Sequence, residues 1–241
     1  MLADPLAAAQ APFSGSYDPT DVTFLLKPVT MAATGIADKE AAIQSGRRHY
    51  SEMIAPESVP DAAYLRLYHD ALARNGARLA QDVANLAAHL AARRPGREVV
   101  IVSLARAGTP IGVLLARTLR ARGHVAHHYS VSIIRDRGID RVALAHIAML
   151  HDASDAVFVD GWTGKGAIAG ELRAALADRP FGFAPDLAVI ADPAGQANMA
   201  ATADDYLIAS GLLNGIVSGL VSRSILNADV VGPGDFHACV T

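Results

Sequence analysis

Cysteine, aromatic residues, surplus positive charge and long apolar runs are all scarce in this chain of 241 residues. Its single cysteine, Cys239, leaves no internal disulfide framework to staple a fold, which suits a reducing compartment and makes the cytoplasm the expected home. Aromatics make up only 5% of the chain. Alanine dominates instead, as close packing of helices on a sheet requires. The net charge is −3 with signs mixed, so no basic stripe tracks nucleic-acid phosphates and bulk nucleic-acid binding is not expected. The longest uncharged run, Tyr206 to Ser222, is broken by Ser210, Asn214, Ser218 and glycines. It falls short of the roughly 20 apolar residues that span a bilayer, and it reads as a buried strand followed by a helix. Met1 to Pro5 has no basic segment, and the alanine run after it is interrupted by Gln10 and Pro12, so this stretch is not expected to act as a signal peptide.

The length allows one large domain with a sizeable core. Residues 1–12 read as a loose tail, and Asp18-Pro19 predicts the start of a short helix. From Pro60 to Arg94, Leu65, Leu72, Leu79, Val83, Leu86 and Leu90 recur at helical spacing. One long helix is predicted there, with a bend allowed at Asn75-Gly76 and a stop at Pro95-Gly96. Strands and helices then alternate: strand 98–104, helix 109–122, strand 125–134, strand 156–160, helix 167–176, strand 187–192 and strand 205–209. Such alternation predicts an α/β fold, a mostly parallel sheet flanked by helices. No repeat or low-complexity linker divides the chain. The division expected is an N-terminal helical extension, 1–59, on an α/β domain, 60–241, the two forming one unit.

In an open α/β sheet, ligands bind beyond the carboxyl ends of the strands, which singles out the loops at 105–108, 161–166 and 210–214. Val157-Phe158-Val159-Asp160 delivers a carboxylate at a strand end, and Gly161-Trp162-Thr163-Gly164-Lys165-Gly166 leads into a helix. Glycines let the backbone approach an anion, Thr163 offers a hydroxyl, and a helix N-terminus favours negative charge by about 0.3–1 kcal/mol. A Walker A loop does not fit, because Val159 stands at its first glycine and Gly166 at its metal-binding hydroxyl. A dinucleotide fingerprint fits loosely, since Asp160 to Thr163 separates the strand from the glycines. Taken alone, the loop reads equally well as a tight turn with Asp160 as a cap.

Together with Ile101-Val102-Ser103-Leu104-Ala105-Arg106-Ala107-Gly108-Thr109-Pro110 and the polar Arg135-Asp136-Arg137-Gly138-Ile139-Asp140, this loop resembles the type I phosphoribosyltransferases. More narrowly, the stretches from Phe13 to Val22, Ser132 to Asp140, Val159 to Gly166 and Gly234 to His237 resemble a subfamily of tellurium-resistance operons. That subfamily is known both as a phosphoribosyltransferase and as the cysteine protease StiP type. Its members are longer at the C-terminus, so Thr241 is expected to be an early end.

The resemblance implies a glycosyltransferase of nucleotide metabolism. Phosphoribosyl would pass from phosphoribosyl pyrophosphate (PRPP) to a nitrogen of a nucleobase-like acceptor, with Mg²⁺ as cofactor and pyrophosphate released. Asp160 would hold the ribose hydroxyls and the metal, and Thr163, Gly164, Lys165 and Gly166 the 5′-phosphate, with Gly161 and Trp162 in the same binding loop and Trp162 covering the ribose or stacking on the acceptor. Ala105, Arg106, Ala107 and Gly108 would take the pyrophosphate. Arg135 and Arg137, on a flexible lid, would steady the leaving group, and Ser210 and Asn214 would bound the acceptor. One departure from the family pattern is that Asp160 stands alone where two adjacent acids are usual. Binding of PRPP or a nucleotide without turnover is therefore an alternative, and a cysteine protease acting through Cys239 and His237 is another.

Several of these residues also have plainer readings. Arg106 can be a surface residue at a strand end, Arg135 to Asp140 a solvated hairpin turn around Gly138, Ser210 a simple cap, and Trp162 a packing residue. His124, His127 and His128 have no carboxylate or cysteine at ligand spacing, which favours a partly exposed strand over a metal site. A homodimer is the commonest assembly to expect.

Overall fold

The computed structural model describes residues 13–213 and 215–241; the tail expected over residues 1–12 and the candidate Asn214 lie outside them. In chain order the elements are β1 (Thr23–Leu25), β2 (Lys27–Pro28), α1 (Ile36–Gln44), α2 (Ala62–Ala92), β3 (Val99–Ala105), α3 (Gly108–Ala121) and β4 (Ala126–Ile134). There follow β5 (Gly138–Ile139), α4 (Arg141–Leu150), β6 (Ala156–Trp162), α5 (Ala167–Ala175), β7 (Leu187–Ala191), β8 (Met199–Thr202) and β9 (Ala238–Cys239). The main sheet runs β1-β4-β3-β6-β7-β8, with every neighbour parallel, and β5 adds an antiparallel pairing to β4. This is the expected α/β class, a mostly parallel sheet flanked by helices.

Both faces of the sheet are covered, so its central strands are continuous apolar runs. In β3, Val99 and Ile101 pack toward α2 and α3, while Val100, Val102 and Leu104 pack toward α4 and α5. β3 is followed in the chain by β4 on one side, whereas β6 lies on its other side. Strand order therefore reverses between β3 and β6, and a crevice opens at their carboxyl ends.

The segment before residue 60 is woven into this unit. Phe24 and Leu25 of β1 are fully buried beside β4, and β2 pairs with β9 near the C-terminus. Cys239 is itself fully buried, in a cluster with Val22, Phe24, Leu26, Val113, Leu220 and Val221.

Helix α2 starts where Asp61 accepts the Tyr64 N–H at 2.7 Å and runs unbroken through Asn75-Gly76. No helix forms at Pro19. Asp18 instead accepts the Thr20 N–H at 2.8 Å and closes a turn, from which the chain extends directly into β1. The strand expected at 205–209 is absent too. β8 occupies the sheet edge at 199–202, and the uncharged run beyond it folds as short 3₁₀ turns at Gly211–Leu213 and Ile216–Ser218. Leu207 and Val217 are exposed, so hydrophobicity in that run does not mark burial. Among the described residues, no helix is long and apolar enough to cross a membrane.

Two helical glycines give the packing a sign test. Alanine normally stabilises a helix interior relative to glycine by about 1 kcal/mol. Gly170 in α5 faces open space and should follow that rule. A Cβ at Gly112 in α3 would overlap the His128 ring. That ring cannot yield, because Nδ1–H donates to the Asp21 carbonyl and Nε2 accepts from Ser103, each at 2.8 Å. Chemical denaturation should show Gly170→Ala stabilising the fold and Gly112→Ala destabilising it by about 1–3 kcal/mol.

Candidate functional site

The crevice between β3 and β6 opens into a cleft of about 1230 Å³. Ala107, Arg135, Asp160, the whole of Gly161 to Gly166, and Ser210 line it. Three segments far apart in sequence, after β3, β4 and β6, thus meet beyond the carboxyl ends of the strands. Gly108 sets how closely: a Cβ there would overlap the Val159 carbonyl, so only glycine lets the first turn of α3 rest against the end of β6.

Asp160 follows three fully buried residues of β6 and is itself half-buried at the cleft wall. Burial pushes its carboxyl up to about 6, and the Gly161 N–H, which donates to Oδ1 at 2.8 Å, offsets only part of that effect. Among the described residues, Oδ2 accepts no hydrogen bond. A half-buried carboxylate with a free oxygen is one that a cation or a pair of hydroxyls would stabilise.

Beyond it the loop presents backbone. Among the described residues, the N–H groups of Gly164, Lys165 and Gly166 find no acceptor. Gly166 sits at φ 79°, ψ 15° as the N-cap of α5, a left-handed conformation that glycine adopts without a Cβ penalty. The Trp162 ring lies over Gly164, leaving no room for a side chain there, and is held by its Nε1–H donating to Asp205 at 3.0 Å. Half of Trp162 stays exposed, so it roofs the loop rather than filling the core.

Other candidates are engaged elsewhere. The Thr163 hydroxyl is buried and donates to Asp192, so it braces the loop instead of facing the cleft. Burial of Asp192 would raise its carboxyl, but hydrogen bonds from Thr163 and from the Gln196 and Ala197 N–H groups outweigh that and hold it below the usual range. Arg106, joined to Ala105 by a cis peptide bond, turns its guanidinium away from the cleft to pair with Glu57. Arg137 pairs with Glu52 at 3.0 Å and lies outside the cleft. The expected lid is a short hairpin pinned in place, because Glu171 accepts the N–H groups of Asp136 and Gly138 at 2.8 and 2.9 Å. Arg135 alone of this segment reaches the cleft, its backbone N–H tied to the Tyr50 hydroxyl at 2.9 Å.

The structure also brings in residues that the sequence reading passed over. Asp205, Tyr206, Leu207 and Ile208 form the far wall, so a second carboxylate does reach the cleft, from a distant loop. Asp192 could have been found by applying the strand-end rule to the segment after β7. Asp205 sits in an irregular stretch and left no periodic signal.

Cys239 is not disposed as a nucleophile. It is buried within the β2–β9 ribbon, and burial pushes its thiol up to about 12, whereas a reactive cysteine needs an exposed, stabilised thiolate. Nearby His237 directs Nδ1 to Ser132 at 2.8 Å. Although Cys239 stands only two residues before Thr241, pairing of β9 with β2 draws it into the core.

A family model described as "Tellurite-like stress resistance cysteine protease StiP" matches residues 15–241. The "Cysteine protease StiP" of Acinetobacter baylyi is 46% identical over 228 residues, covering 94% of this chain and 59% of its own length. This chain thus spans about three-fifths of that relative. Among solved structures, the hypoxanthine phosphoribosyltransferase of Trypanosoma cruzi is similar over 52% of this chain and 75% of its own, at 12% identity and a TM-score of 0.39. A hypoxanthine-guanine phosphoribosyltransferase of Bacillus anthracis gives 13% identity and a TM-score of 0.39 over the same shares. Likenesses this partial carry no inference about activity.

The strained carboxylate makes its own prediction. Asp160 titrates near 6 in the folded chain against 3.8 for an ordinary aspartate, so the folded state holds its proton more tightly between those values. Stability from this residue is present at low pH and is lost as pH rises through about 6. Asp160→Asn removes the titration, so the variant should be more stable than the parent by about 1–3 kcal/mol at pH 7, the upper figure being trimmed by the cleft's solvent. Denaturation curves at pH 7 and pH 4 should show most of that gain lost at the lower pH.

Proposed function

We propose that this chain, which belongs to the StiP family of tellurite-like stress resistance proteins, binds PRPP in the β3–β6 cleft and transfers its phosphoribosyl group to a nitrogen of a nucleobase-like acceptor. The observation that carries this reading is the juxtaposition of Asp160, whose pKa is raised and whose Oδ2 accepts no hydrogen bond among the described residues, and the N–H groups of Gly164, Lys165 and Gly166 leading into α5, which find no acceptor among those residues. An acid that favours a diol or cation, beside a backbone cradle that favours an anion, matches a sugar phosphate.

In this reading the 5′-phosphate rests on the Gly164, Lys165 and Gly166 amides with the Lys165 ammonium close by, and the ribose hydroxyls meet Asp160. Mg²⁺ fits the donor set, since it commonly takes one or two carboxylates and otherwise substrate oxygens and water, and Asp160 would be its protein ligand. When bound, it would neutralise pyrophosphate charge. Arg135 would hold the departing pyrophosphate against Ala107 and Gly108. Trp162, Tyr206 and Ser210 would enclose the flat acceptor, whose nitrogen lone pair forms the new bond to C1 as the bond to pyrophosphate oxygen breaks. The Asp160 carboxylate then faces the positive charge that develops on the ribose ring, an electrostatic contribution to lowering the barrier.

A second reading, binding without turnover, is favoured by one observation: Arg106 and Arg137 both pair outside the cleft, leaving Arg135 as its one arginine among the described residues. Protease chemistry through Cys239 has no such support. Calorimetry with Mg·PRPP should show binding that weakens by about one to two orders of magnitude in Asp160→Asn, the loss of charge-assisted bonds of about 1.5–3 kcal/mol. Pyrophosphate release in the presence of candidate nucleobases supports transfer, and binding without release supports the second reading. Absence of PRPP binding to the parent chain, or equal binding to both, overturns the proposal.

A further inference from the structure

At the amino ends of the strands, on the side of the sheet away from the cleft, three residues distant in sequence converge. Glu98 immediately precedes β3, His127 is the second residue of β4, and His151 caps the C-terminus of α4. Parallel pairing sets Val100 opposite His127, which brings Glu98 and His127 to one corner, and the turn after α4 lays His151 across it. The Glu98 carboxylate lies 2.8 Å from His151 Nδ1 through one oxygen and 3.3 Å from His127 Nε2 through the other. The two imidazoles are 4.6 Å apart between centroids. One ligand atom from each of the three residues lies within 4.8 Å of the others.

We propose that Glu98, His127 and His151 form a binding site for a divalent transition metal of the zinc class, with three protein ligands and one position open to water. Two imidazoles and a carboxylate are a donor set that suits zinc and disfavours Mg²⁺ or Ca²⁺, which prefer oxygen alone. Metal–ligand distances of about 2.0–2.2 Å need ligand atoms roughly 3.3–3.5 Å apart, which small rotations of these side chains supply. The outer partner of one ligand is already in place. His151 is buried, and its Nε2 lies 2.8 Å from the Tyr129 hydroxyl. Without metal, Nδ1–H donates to Glu98 and Nε2 accepts from Tyr129. With metal on Nδ1 the proton sits on Nε2 and donates to the same hydroxyl, which can play either part. His127 is 43% exposed, so an ion can enter from solvent and keep a water there. Because the ligands come from the residue leading into β3, from β4 and from the end of α4, the ion would tie those three elements together.

Calorimetry with ZnCl₂ on the untagged chain, together with thermal unfolding, tests the site. His127→Ala is the variant of choice, since an exposed side chain can be lost without unfolding the protein; His151→Gln is the buried counterpart. One zinc per chain, a higher unfolding temperature with zinc, and at least tenfold weaker binding in His127→Ala are expected, with Asp160→Asn binding zinc as the parent does. Cobalt substitution should give the intense visible bands of a four-coordinate ion, absent in His127→Ala. No saturable zinc binding to the parent, or equal affinity in parent and His127→Ala, would overturn the proposal.

Discussion

The close approach of α3 to Val159, the last buried residue of β6, is the constraint on which the cleft depends. Gly108 lies against the Val159 carbonyl so tightly that no side chain fits between, and this fixes the loop after β3 beside the loop after β6. Strand order makes the same demand from the other direction, since β4 and β6 flank β3 on opposite sides and the connections must part there. A crevice at that point is a consequence of topology; what fills it is a matter of side chains.

Those side chains work against stability. Asp160 is held where burial disfavours its charge, the amides of Gly164 to Gly166 are left without acceptors among the described residues, and Trp162 is kept half exposed over the loop. Each would be better satisfied in a closed protein, and each becomes satisfied if an anionic sugar occupies the cleft. The supporting residues point the same way: Thr163 and Asp192 lock the loop's base, and Glu171 pins the hairpin that carries Arg135. The cleft's walls are braced by hydrogen bonds at their base, while Asp160 and the Gly164 to Gly166 amides are turned toward the surface a ligand would touch.

How much of this was legible in the sequence follows from distance along the chain. The strands around Val99 to Leu104 and Val157 to Asp160 were readable because full burial makes them uninterrupted apolar runs, and the Asp160 to Gly166 loop because its parts are contiguous. The side-chain pairings of Arg106, Arg137 and Thr163 were not legible, for the opposite reason. Their partners Glu57, Glu52 and Asp192 lie 29 to 85 residues away, and nothing local tells a guanidinium which carboxylate will claim it. Local reading likewise dismissed His127 for want of a nearby acid, while the fold supplied Glu98 and His151 from neighbouring elements. It also mistook the apolar run after Tyr206 for buried structure, although β8 had already closed the sheet edge.

The central claim, that the β3–β6 cleft receives a phosphorylated ribose, is tested most directly at the amides that find no acceptor among the described residues. Amide hydrogen exchange with and without Mg·PRPP should show new protection at Gly164, Lys165 and Gly166 and across the first turn of α5, with Gly112 and the rest of α3's interior unchanged. Exchange at those three amides that is identical with and without Mg·PRPP, or protection confined to another face of the molecule, would contradict it.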